Sequence, residues 1–182
     1  MNTDTDNAGG PDADHDDAPT DEAHTDSDQL QRFWAVASLH ADLGEVEVFM
    51  GTSWGQAMAP PAWSFGSTPE LADELVNRVL SGDKTATTGP YQDYVDDEPL
   101  PKVGDLSIVL DGAGTPKALI RDVEVVTTTF GQITAEQAAA EGEGDRSLDH
   151  WREVHRQAFS SYGYEVDDST KVVWERFVVL YP

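Results

Sequence analysis

Four groups of residues have the types and spacing to do chemistry. The run "LSGDKTATTGPY", residues 80–91, places Lys84 three residues before Thr87, just past a helix end. A lysine drawn into a partly desolvated pocket loses basicity and can take the proton of a nearby hydroxyl, which Thr87 supplies. On these residues alone, Lys84 reads as a charge at the helix C-terminus followed by polar turn residues. The run "AEGEGD" carries Glu141, Glu143 and Asp145 among helix-breaking glycines; in so acidic a chain it reads first as a solvated loop, the alternative being that the glycines let a carboxylate turn inward beside a partner. "GTSWG", residues 51–55, fits Gly-x-Ser-x-Gly, but Pro60 and Pro61 forbid the long helix that must follow a nucleophile elbow at Ser53. His150 and His155 stand roughly 140° apart on a helix and cannot jointly face one metal ion. His155 falls on an apolar stripe and reads as a hydrogen-bonded residue at the core edge. No metal site or cofactor is expected.

Composition narrows the partners. The 182 residues carry a net charge of −24, from 35 acidic and 11 basic side chains. Residues 1–30 hold ten Asp or Glu and no Lys or Arg, so the rest of the chain still carries −14. Such a surface repels phosphate backbones, so DNA is not expected and RNA would need a local basic pocket. The absence of cysteine excludes disulfides and thiolate chemistry and suits a reducing cytoplasm. No signal-like start and no run near the ~20 apolar residues of a membrane span is present, so no membrane partner and a cytoplasmic location are expected.

The elements that must position these residues follow from periodicity. Residues 1–29 form a low-complexity acidic tail expected to be disordered, leaving one domain over 30–182. A first helix is expected from Leu30 to about Leu43, capped by Asp28. A second is expected over 69–81, with Thr68 as N-cap, Pro69 at its first position and Gly82 as its left-handed stop. Its apolar residues are Leu71, Ala72, Leu75, Val76, Val79 and Leu80. "LSIVLDG" and "KALIRDVEVVTTTF" alternate with period two and should pair as a hairpin. A short helix through "TAEQAAAEGEGD" precedes a longer one capped by Ser147, whose inner stripe would be Leu148, Trp151, His155, Phe159 and Tyr162. "KVVWERFVVLYP" closes the chain as a strand. "YQDYVDDEPLPKVGD" is expected to be a long loop.

Taken in order, "AWSFG", "GDKTATT", "LPKVGDLSIVLDG", "AAAEGEGDRSLDHWREVH" and "VVWERFVVLY" resemble the ASCH domain, a small barrel related to the PUA fold, over about Phe33 to Tyr181. The resemblance implies an α+β fold: an open, PUA-like β-barrel of mixed, mostly antiparallel strands flanked by helices. It also implies a cleft lined by the Gly-x-Lys-x-x-Thr motif, here Gly82, Lys84 and Thr87. Members are associated with RNA; one branch resembles a single-strand ribonuclease, and another hydrolyses the exocyclic amide of N4-acetylcytidine. By likeness to that branch, Lys84 would activate Thr87, and Glu141 would complete the site. Trp63, Phe65, Gly82, Tyr91 and Tyr94 are the expected ligand contacts, with the aromatic rings available to stack on a base. One position departs: the arginine of the amidohydrolase motif is Gly89, which removes a bidentate clamp. The expected partner is a small nucleoside-like ligand or, alternatively, single-stranded RNA held by a noncatalytic module or cut by a nuclease.

Overall fold

The computed structural model describes residues 21–41, 43, 59–96 and 99–182. Ser53 and the first twenty residues of the acidic tail lie outside them.

The best local grammar in the chain gives the best-defined helix. Helix α2, Pro69–Ser81, begins where the Thr68 hydroxyl accepts from the Leu71 N–H at 3.3 Å and stops at Gly82, whose φ of 80° only glycine adopts freely. Ala72, Leu75, Val76 and Val79 are buried, whereas Leu71 and Leu80 sit at the exposed margin. Helix α1, Asp21–His40, starts well before the expected Leu30. Asp28 is therefore an interior residue rather than a cap, and it pairs with Arg32 one turn on at 3.8 Å.

Among the described residues, five strands form one curled, open sheet: β1 (Ala62–Ser64), β2 (Ala86–Pro90), β3 (Leu106–Leu110), β4 (Pro116–Thr129) and β5 (Lys171–Tyr181), in the order β1-β3-β4-β5-β2. Only β1 and β3 run parallel; the hairpin β3–β4 and the pairs β4–β5 and β5–β2 are antiparallel. β1 and β2 are the two edges and do not pair, so the sheet remains a half-barrel. The segment expected to be a loop after β2 contains a short helix, α3 (Tyr91–Asp96).

The period of two assigns side chains to the two faces. On one face Phe65 and α2 pack against Val109, Ala118, Ile120 and Phe177. On the other, α1 covers Ile108 and Leu119 through Trp34 and Ala37. Farther along that second face, α4 (Ala135–Ala140) and α5 (Leu148–Ser161) cover Ala86, Val172 and Trp174. Trp151, His155 and Phe159 form the buried stripe of α5, but Tyr162 has turned out at the helix end, 55% exposed.

Candidate functional site

A buried ionic network lies where the loop before β2 meets α4 and α5. Thr134 caps α4 through a reciprocal bond with Gln137, and the helix ends at Glu141 because Gly142 takes a φ of 71°. There is no room for anything but glycine: a Cβ on Gly142 would lie 2.2 Å from the Asp83 carbonyl. This close approach turns Glu141 inward, where it is 1% exposed, correcting the solvated-loop reading. Its Oε1 accepts from the Thr88 hydroxyl and from the Trp151 indole N–H, both at 2.6 Å, and its Oε2 lies 3.2 Å from His155 Nε2. His155 Nδ1 sits 3.0 Å from the Trp151 carbonyl. A carbonyl only accepts, so Nδ1 carries a proton, and Glu141 Oε2 finds a donor only when Nε2 is protonated as well.

Charge follows geometry here. Burial alone would raise the Glu141 carboxyl, but the charge and hydrogen bond of His155, the Lys84 ammonium and the Thr88 hydroxyl overcome it and hold the pKa at about 2. Burial likewise opposes a charged His155, and attraction to Glu141 and Glu143 outweighs it, so the imidazole pKa is raised. Lys84, also 1% exposed, donates to Glu143 Oε1 at 2.8 Å and to the Glu141 carbonyl at 3.4 Å, and lies 3.9 Å from Glu141 Oε2. Its Nζ also stands 4.9 Å from the centre of the Phe65 ring.

The structure thus brings Lys84 and Glu141 together, but the threonine that joins them is Thr88. Successive strand residues point to opposite faces, so Thr87 looks the other way. There it lines a cleft of about 780 Å³ with Trp63, Tyr94, Ile120, Asp122 and Glu175. The β2–β5 register sets Thr87 directly across from Glu175. A bulge between Asp122 and Glu124 in β4 keeps Asp122 on this face, paired with Phe177. Asp122 and Glu175 stand side by side in the cleft, close enough to interact, and the Tyr94 hydroxyl donates to Glu175 Oε1 at 3.0 Å. Burial, then the neighbouring Asp122 charge, pushes Glu175 up to about 7; burial, partly countered by the hydrogen bond from Glu175, pushes Asp122 up to about 6. The two share one proton near neutrality and titrate as a pair.

The other expected contacts divide. Trp63 and Tyr94 line the cleft. Phe65 lies behind it in the core, edge-on to Trp63 at 4.7 Å. Gly82 is the cap of α2, and Tyr91 belongs to a separate, smaller hollow beneath Lys171. At Gly89 a Cβ would stand 2.8 Å from the Tyr94 hydroxyl, so the tyrosine fills the space that an arginine side chain would enter. Sequence reasoning missed Thr88, Asp122 and Glu175. The signal for the last two was a carboxylate set inside an apolar strand at the parity of Ile120 and Phe177. No group of three or more His, Asp or Glu among the described residues is placed to hold a metal ion.

The ASCH domain profile matches residues 61–181. The chain belongs to the ASCH domain family. Two solved structures agree across most of its length. The ASCH domain from Lactobacillus crispatus JV V101 is 27% identical, with a TM-score of 0.70 over 84% of this chain and 95% of that one. A protein from Enterococcus faecalis V583 is 28% identical, with a TM-score of 0.69 over 84% of this chain and 88% of that one. A comparison with curated proteins finds no match. The half-barrel with flanking helices is thus the ASCH, PUA-like fold.

Proposed function

We propose that the cleft of this ASCH domain binds a nucleobase or modified nucleoside, and that the Thr87 hydroxyl on its wall opens an exocyclic amide of the N4-acetylcytidine type. The observation that carries this reading is the cleft itself: about 780 Å³, with an indole wall at Trp63 and the polar groups of Thr87, Tyr94, Asp122 and Glu175 converging in it. A flat heterocycle stacks on the indole face, and the polar groups meet its edge. The carboxyl groups of Asp105, Asp122 and Glu175 favour a neutral nucleoside over a phosphate-bearing ligand, RNA included. In this reading Lys84 and Glu141 position the nucleophile: the Thr88–Glu141 bond pins β2 from behind, so that Thr87 faces the cleft.

N4-acylated cytidines offered to the purified protein, with products followed by chromatography, test the reading. Turnover is expected in the wild type, with a fall of about 10³-fold or more in Thr87→Val, the scale on which loss of a nucleophile acts. Absence of turnover across the panel, or turnover unchanged in Thr87→Val, would contradict it.

A further inference from the structure

The cleft holds a pair of carboxyl groups to which the Lys–Thr–Glu motif assigns no role, and they stand where Thr87 needs a partner. Thr87 and Glu175 are directly opposed residues of adjacent antiparallel strands and line the same cleft. Opposed side chains on one face have Cβ atoms roughly 4.5–5.5 Å apart, within reach of a hydroxyl–carboxylate bond. Lys84 is differently placed. Its ammonium donates to Glu143 and to the Glu141 carbonyl, and it is not among the residues lining the cleft. The partners that hold its Nζ lie on the Glu141 side with Thr88, whereas Thr87 faces the cleft.

We infer that Glu175, held by Asp122 and Tyr94, is the acid–base residue that serves Thr87, in place of Lys84. This rests on the hydrolase reading above. The Thr87 Oγ attacks the acyl carbon of the amide as its proton passes to the Glu175 carboxylate. The C–N bond breaks, and Glu175 returns that proton to the departing amine nitrogen. Water then attacks the acyl-threonine and gives a proton to Glu175. That proton passes to Thr87 Oγ as the C–O bond breaks, releasing the carboxylic acid. The groups facing Glu175 are Asp122 from β4, Asp105 from the loop before β3, Tyr94 from α3 and Thr87 from β2. With a pKa of about 7, Glu175 is divided between its acid and base forms at neutral pH, which both halves of the reaction require.

The test uses p-nitrophenyl acetate as an activated acetyl donor, with acetylation at Thr87 located by peptide mass spectrometry in the wild type, Glu175→Gln and Asp122→Asn. In the wild type the labelling rate should rise with pH through about 7. Glu175→Gln should lower it about 10²-fold or more and flatten the rise. Asp122→Asn removes the charge that adds to burial in raising Glu175, so it should move the rise to lower pH, a shift that a merely structural role would not produce. Equal rates and profiles in wild type and Glu175→Gln, or an unmoved profile in Asp122→Asn, would overturn the inference while leaving Thr87 as nucleophile. A wild-type protein never acetylated at Thr87 would overturn the hydrolase reading, and the inference with it.

Discussion

At Glu141 one buried carboxylate faces two cations and two neutral donors, and none of the four has another carboxylate oxygen as close except Lys84, which reaches Glu143. Removing that charge leaves His155 without its counterion, so Glu141→Gln should cost about 3–5 kcal/mol in urea unfolding at neutral pH. The signs of the pKa shifts also set the pH profile. Glu141 lies below its ordinary 4.5, so its contribution is whole above that pH and is lost as the pH falls toward about 2. His155 is raised above 6.5, so its contribution is whole below 6.5 and is lost as the pH rises through the folded value. Asp122 and Glu175 are raised as well, and stability falls as the pH climbs from the ordinary carboxylate range through about 6 and about 7. Among these four groups, stability should be greatest near pH 4 to 5, and Asp122→Asn should be more stable than the wild type at pH 8 by on the order of 1 kcal/mol. Unfolding free energies that still rise between pH 6 and pH 8 would contradict this assignment.

The elements matter through two strand faces and one glycine turn. The Gly82–Lys84–Thr87 spacing was legible in the sequence, whereas Ala86–Pro90 reads there as polar turn residues and not as the strand whose alternation separates Thr87 from Thr88. What was not legible was which face of β2 meets α4 and α5, because a contact between residues more than fifty positions apart decides it. Glu141 was misread from composition for the same reason: its local sequence is that of an exposed turn, and its burial comes from the approach of Asp83 to Gly142. Gly142→Ala should therefore destabilise by more than about 2 kcal/mol in thermal melts, since it meets both the positive φ and a backbone atom at 2.2 Å. Helix α2, by contrast, was read almost to the residue because cap, first-turn proline and glycine stop all lie within it. α3 was missed because it is six residues long with a weak apolar pattern. At Gly89 an added methyl meets the far end of Tyr94. Gly89→Ala should displace the tyrosine from Glu175 at a cost below about 1 kcal/mol, seen as a changed Tyr94 environment with little change in melting temperature.

For the whole molecule, charge separates the functional readings. The chain carries −24, and no helix among the described residues is long and apolar enough to cross a membrane. A molecule of that charge is repelled by a phosphate backbone, whereas a neutral nucleoside entering a cleft feels little of the ionic strength. The face bearing Thr87, Trp63 and Tyr94 is where such a ligand should bind. The most direct measurement is an NMR titration with cytidine and N4-acetylcytidine at low and high salt. Saturable shifts are expected at Trp63, Thr87, Tyr94 and Glu175, with the same affinity at both salt concentrations. Shifts absent from these residues, or binding that weakens steeply with salt, would contradict it.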